Sequence, residues 1–346
     1  MMDSFKKYIP AFAALLNKVD AASFSADAYA QQYLKDLLLH KIHYLNLYAL
    51  VLDKAFEATD KIPAETCLLD FGCGNGLLAI FAKFSGVKEV HASDMNASFI
   101  LAAQQLSNYL NIELDGWIIS NENTLSKHFN GKQLDVLVGT DVIEHVYSLD
   151  NLFRTINQLN PNMVTVFTTA SVAENPFKSR QLKKLMIQDE LVSSNKFHSF
   201  YNNEFAGLPF LTIRNKLISS KYPSLKEEEV KVLAIASRGL MTDDIYKDVE
   251  EYLVSKKTPS PINHPYNTCD PFTGSWTERL LTIKQYEQLY NRYQFSLQIH
   301  NGFYNEFDSG LKSKISSFLN KIIGLLGKKG IAISPFIILI GKKISA

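Results

Sequence analysis

Between Leu68 and Gly76 the chain reads Leu-Leu-Asp-Phe-Gly-Cys-Gly-Asn-Gly. An apolar run ends in a carboxylate, Asp70, and passes through three alternating glycines into a segment with helical periodicity. Glycines at such a turn let the backbone take positive φ and let a ligand lie against the main chain. The helix that follows presents its first N–H groups to polar ligand atoms. Asp70, Gly72, Cys73, Gly74 and Gly76 are therefore candidate ligand contacts. A dinucleotide fingerprint needs glycine at position 77, which is Leu77 here, and this argues against a nicotinamide-dependent enzyme.

The observed D-x-G-x-G-x-G resembles the nucleotide loop of class I S-adenosylmethionine-dependent methyltransferases. The neighbouring runs agree with that resemblance. Glu89–Asp94 ends in an acid 24 residues after Asp70, where a carboxylate can accept both ribose hydroxyls. Met95 follows and is expected against the adenine face. The third run ends in Ser120-Asn121-Glu122-Asn123, with Asn121 expected at the adenine amino group. The fourth leads through Thr140 and Asp141 into Asp-Val-Ile-Glu-His-Val, residues 141–146, which is similar to the ubiquinone-type O-methyltransferases and their small-molecule relatives.

The resemblance covers residues 65–170 or so. It implies S-adenosylmethionine as cofactor and transfer of its methyl group to a small-molecule acceptor, expected to be a hydroxyl. In that reaction His145 is the base the motif offers, since an imidazole titrating near ~6.5 suits proton uptake at neutrality. Two alternatives stay open. One is a non-catalytic protein that binds the cofactor and serves as a scaffold. The other is a metal-assisted methyltransferase, because Asp141, Glu144 and His145 match the E-x-x-E-H pattern with which some relatives hold a divalent ion. The favoured reading has no metal.

The surrounding elements must hold these residues in place. Short apolar runs at 67–71, 90–93, 117–120, 134–139 and 163–169 alternate with helix-period stretches at 77–84, 97–110 and 149–159. That rhythm predicts a parallel sheet covered on both faces. With the resemblance, the fold is expected to be α/β: a Rossmann-like, doubly wound, mostly parallel sheet with an antiparallel C-terminal strand. Residues 1–62 read as a helical segment, with Ser25 as a cap and Tyr29, Tyr33, Leu37, Tyr44, Tyr48 and Val51 as a stripe facing the core or lining a pocket.

The cofactor core is expected over 63–171. A mostly helical insertion after the fifth strand spans 172–281, with Thr242 capping a helix from Asp243 to Leu253. Residues 282–346 complete the sheet through runs at 295–299 and 331–340. The insertion holds 15 basic and 14 acidic residues over 171–280. It is expected to be a substrate lid or the interface of a homodimer, with Tyr201, Trp276 and the turn His264-Pro265-Tyr266 as lining residues. Leu311, Ile315, Phe318, Leu319, Ile322 and Leu326 share one helical face, expected to pack on the sheet with lysines in water.

The whole chain carries 36 basic and 35 acidic residues, a formal charge of +1, too small a field to suggest nucleic acid as partner. Cys67, Cys73 and Cys269 form no zinc or disulfide pattern. Apolar runs fall short of the ~20 residues that cross a bilayer, and no secretory signal is read at the N-terminus. The expected address is the cytoplasm, without membrane contact.

Overall fold

A computed structural model describes residues 4–129, 131–194, 204–257, 259, 266–305 and 310–344. The order opens with α1 (Ile9–Leu16), α2 (Ala28–Leu39) and α3 (Lys41–Ala58). It continues with β1 (Cys67–Phe71), α4 (Leu77–Phe84), β2 (Glu89–Asp94), α5 (Ala97–Leu110), β3 (Gly116–Ile119), β4 (Val136–Thr140), α6 (Leu149–Leu159) and β5 (Val164–Thr169). Then come α7 (Pro176–Leu191), α8 (Phe210–Lys221), α9 (Glu227–Ala236), α10 (Thr242–Ser255), α11 (Ile283–Arg292), β6 (Phe295–Asn301), α12 (Leu311–Leu326) and β7 (Ile337–Lys343).

The chain divides into two compact units. The first comprises residues 1–143, 148–170 and 283–346 and holds a seven-stranded sheet in the order β3-β2-β1-β4-β5-β7-β6. Five strands are parallel, and β7 runs antiparallel to both β5 and β6. Every residue of β1 and β5 is buried, as expected of strands covered on both faces. Leu77 to Ala82 of α4 are also all buried. From β1 the chain winds outward to β2 and β3, then returns to β4 beside β1. The switch point of this α/β sheet thus lies between β1 and β4, where such folds bind ligands beyond the strand carboxyl ends. The expected fold class is the observed one.

The second unit comprises residues 144–147 and 171–282. Ile218, Val230, Leu233, Ala234, Ile245 and Val249 of α8, α9 and α10 form an apolar cluster in it. Glu190 at the end of α7 is almost fully buried. It accepts two hydrogen bonds from the Arg214 guanidinium (3.2 and 2.5 Å), one from Arg238 Nε (3.0 Å) and one from the Thr268 hydroxyl (2.7 Å). Val172 and Leu281 form a bridge, so this segment begins and ends side by side.

Several local expectations need correction. Asp27, not Ser25, caps α2 by accepting from Ala30 N, because Ser25 is engaged with Gln105 of α5. The N-terminal stripe is not one helix: His40, at φ −107° and ψ 22°, separates α2 from α3. Thr242 begins α10 instead of capping it, and its hydroxyl donates to Pro271 O (2.7 Å). The last apolar run starts as a 3₁₀ turn through Ile333, and Pro335 delays β7 to Ile337. The α12 stripe does not pack on the sheet: Leu311, Ile315, Phe318 and Leu326 are exposed, while Ser316 and Ile323 are buried. Among the described residues, no helix is long and apolar enough to cross a membrane.

Candidate functional site

Gly72, Gly74 and Gly76 all have positive φ, between 51° and 71°, a conformation that costs most other residues free energy. Packing makes two of them irreplaceable in a second way. A Cβ on Gly72 would lie 2.2 Å from Val142 Cγ2, and one on Gly76 would lie 2.8 Å from Ala103 Cβ. Gly74 differs, because its Cβ would point at the Tyr33 ring, 3.1 Å from Cε1. The turn is pinned by Cys73 N donating to Ser93 O (2.9 Å) and Gly76 N to Cys73 O (2.9 Å).

Asp94, at the carboxyl end of β2, accepts from Gly74 N at Oδ2 (2.9 Å) and from Asn96 N at Oδ1 (2.8 Å). One carboxylate thus shapes the glycine turn and the start of α5 together. Burial pushes its pKa up to about 6 against the pull of those N–H donors. Asp70 accepts from Ala79 N (3.2 Å), the third residue of α4, whose N-cap is Gly76 and offers no side chain. It therefore supplies the missing cap from the preceding strand, and burial pushes it up to about 7.

Met95 is exposed beside Asp94. Asn121 is half-buried, and its Oδ1 accepts from Asn123 N (3.0 Å) and the Thr124 hydroxyl (3.2 Å), forming a local turn. Thr140 ends β4. Asp141 follows at φ 50°, exposed, its amide held by Thr168 O (3.1 Å).

The N-terminal helices contribute what sequence reasoning left undecided between core and pocket. Tyr29 and Tyr33 pack against Phe99 of α5, with ring centroids 5.6 and 5.3 Å apart. Asn75 Nδ2 of the glycine turn donates to Ala30 O (3.0 Å), and Asp27 N donates to the Ser98 hydroxyl (2.9 Å). These bonds tie α2 to the turn and to α5. Tyr33 keeps 39% of its surface accessible, yet its hydroxyl is pushed far above the ordinary phenol range, first by burial and then by the nearby Asp141 charge. Its ring lies over the Gly74 backbone of the turn. Leu37, Tyr48 and Val51 of the same stripe are buried core residues. The signal for this packing on the glycine turn was the i, i+4 pair Tyr29 and Tyr33.

A second cluster lies in the other unit. Ligand atoms of Glu144, His145 and Glu278 all lie within 4.8 Å of one another. His145 Nδ1 sits 2.8 Å from Trp276 O, and Trp276 N donates back to His145 O (3.1 Å). A carbonyl only accepts, so Nδ1 carries the proton and Nε2 is the basic nitrogen. Glu144 is buried, and the Ser171 hydroxyl donates to Glu278 Oε2. The second carboxylate of this cluster is Glu278; Asp141, expected beside Glu144 and His145, is not in it. Trp276 is buried and Tyr266 is exposed; Tyr201, His264 and Pro265 lie outside the described residues.

Cys67, Glu89 and His91 also approach one another. Lys132 already pairs with Glu89, and burial pushes the Cys67 thiol up to about 12.

The family described as a methyltransferase domain matches residues 38–215, just over half of the chain. A ribosomal protein L11 methyltransferase from Acinetobacter baumannii (strain AYE) is 35% identical over 82 residues, covering 24% of this chain and 25% of the relative. The chain thus spans about a quarter of the length of that curated relative. The solved YcgJ protein of Bacillus subtilis has a TM-score of 0.41 at 12% identity, covering 86% of this chain and 98% of that one. An S-adenosylmethionine-dependent methyltransferase from Archaeoglobus fulgidus has a TM-score of 0.37 at 14% identity, covering 81% and 88%. With its glycine turn and strand-end carboxylate, the chain belongs to the methyltransferase-domain family within the class I S-adenosylmethionine-dependent superfamily, and S-adenosylmethionine is its cofactor.

Proposed function

We propose that this chain methylates a hydroxyl of a small-molecule acceptor. The carrying observation is the junction where one buried carboxylate, Asp94, holds the amide of Gly74, a left-handed glycine on which a Cβ would meet the Tyr33 ring. This cradle fits a cofactor that presses on main chain and offers ribose hydroxyls. Gly72, Cys73, Gly74 and Gly76 would form its floor, Asp94 would accept from the ribose, and Met95 and Asn121 would serve the adenine. Thr140 and Asp141 would serve the amino-acid end, where an exposed carboxylate complements positive charge. Asp70 supports the cradle by capping α4.

When bound, S-adenosylmethionine supplies a methyl group made electrophilic by its sulfonium. The residues then have to orient an acceptor in line, exclude water and take one proton. His145, five residues past Thr140 in the chain, has the tautomer for the last task. Its Nδ1–H is committed to the Trp276 carbonyl, and Nε2 is the proton acceptor.

The cluster also supports a second reading. Two carboxylates and an imidazole suit a divalent cation if further oxygen ligands complete its shell, and Glu144, His145 and Glu278 would hold it. The L11 methyltransferases make a protein acceptor a further outcome to test, as is a scaffold that binds cofactor without turnover.

S-adenosylhomocysteine should raise the melting temperature while NAD does not. A cell extract incubated with isotopically methyl-labelled cofactor should yield a labelled small molecule by mass spectrometry, and His145→Ala should lower its formation by ~10²–10⁴ with little change in cofactor affinity. Label appearing only in protein, or none at all, removes the proposed acceptor. Loss of turnover in EDTA, restored by Mg²⁺ or Mn²⁺, selects the metal reading. Normal turnover in the His145 variant without a chelator effect leaves that residue structural.

A further inference from the structure

Successive residues of an α-helix turn by about 100°, so Leu311, Ile315, Phe318, Ile322 and Leu325 fall in one sector of α12. Such a stripe usually faces the core, but here it does not. Leu311 is 74%, Phe318 63% and Leu325 88% exposed, with Ile315 at 49%. The helix is held to its unit by a different side. Ser316 and Ile323 are buried. Asn320 exchanges hydrogen bonds with the Tyr304 backbone (2.7 and 3.0 Å), and Asn301 Nδ2 donates to Gly327 O (2.7 Å) at the helix end. These anchors fix the rotation of α12 and keep the apolar stripe turned away from the core.

The charges beside the stripe have one sign. Lys314 and Lys321 lie along its edge, Lys328 and Lys329 follow in the next turn, and all four are exposed. No acidic residue occurs from 311 to 346. We propose that α12 docks this chain on an anionic phospholipid bilayer, with the apolar stripe in the headgroup region and the lysines on the lipid phosphates. Lysine stems can lie along apolar surface while their ammonium groups reach charged headgroups, the arrangement of interfacial amphipathic helices. The 16 residues of α12 span only ~24 Å and carry three lysines, so the helix lies on the bilayer instead of crossing it. The same charge pattern argues against a second copy as occupant. A two-fold interface sets a face against itself, and here it would oppose lysines to lysines with no acid from 311 to 346 to pair them.

The test is co-sedimentation of the full chain with vesicles of phosphatidylcholine alone, or with about one-third of it replaced by phosphatidylglycerol. Binding should require the anionic lipid and weaken as salt rises. Each lysine is worth roughly fivefold in affinity, so Lys314→Glu with Lys321→Glu should weaken binding more than tenfold. Phe318→Asp should weaken it about tenfold or more. Both variants change exposed residues and should keep the wild-type circular-dichroism melt. Three results would overturn the proposal: no sedimentation with anionic vesicles, equal sedimentation of wild type and Phe318→Asp, or a dimer in sedimentation equilibrium that Phe318→Asp dissociates.

Discussion

Asp94 holds two backbone amides at once, Gly74 N and Asn96 N, one on each carboxylate oxygen. A carboxylate at this strand end can also accept from a ribose diol. Burial raises this carboxyl to about 6 and Asp70 to about 7. Between about pH 4 and 7 the folded chain therefore keeps protons that the unfolded chain has released. The two groups accordingly make the unliganded fold less stable as pH rises through that window. Cofactor binding should follow the opposite course, because the ribose requires the ionised acceptor. Affinity for S-adenosylhomocysteine should fall as pH drops through about 6. Asp94→Asn turns one acceptor into a donor facing N–H groups and should cost roughly ten- to a hundredfold in affinity. Titration calorimetry across this range reads both effects, and a flat profile with wild-type affinity in the variant would remove Asp94 from the site.

Elements whose ends are marked by local chemistry were legible. Asn96 caps α5 and Ser148 caps α6, the three glycines separate β1 from α4, and the expected bounds of those helices match the observed ones. Tertiary partners were harder to read. Ser25 and Asp27 are equally good caps by type, and the choice between them came from Gln105, 80 residues away. The six apolar residues on one face of α12 gave the helix but not its rotation, which Asn301, Asn320 and Tyr304 fix. The buried hub of the second unit was also invisible, because Glu190 and Arg214 look like ordinary helix charges in sequence. Glu190 gathers α7, α8 and the Thr268 segment through four hydrogen bonds. Glu190→Ala leaves the fully buried Arg214 without its counter-ion and should destabilise that unit by about 3–5 kcal/mol. Glu190→Ala with Arg214→Met, which removes both buried charges, should recover much of the loss. Thermal denaturation of the single and double variants distinguishes the outcomes, and a single variant melting like wild type would show the pair to be dispensable.

The two units differ in how their chains are assembled. The sheet unit draws on three stretches of sequence, whereas the second unit is built almost entirely from residues 171–282, with only 144–147 added. That long segment starts and finishes at neighbouring positions, as the Val172–Leu281 bridge and the bond from Ala173 N to Leu281 O (3.4 Å) indicate. A chain that leaves and re-enters at one place can be closed by a short flexible linker at little entropic cost, since closure depends only weakly on loop length. The residues expected to bind cofactor, from Asp70 to Asp141, all belong to the sheet unit, together with α2 and its tyrosines. Replacing 171–282 by a few Gly and Ser residues should therefore preserve S-adenosylhomocysteine affinity within a few-fold. It should abolish methyl transfer, because Glu278 and the Trp276 carbonyl that orients His145 are removed. Calorimetry and a labelled-cofactor assay on the same purified protein provide the comparison. If a soluble, cooperatively melting deletion lost cofactor affinity as well, residues 171–282 would have to be counted as part of the cofactor site instead of a separable acceptor-side element.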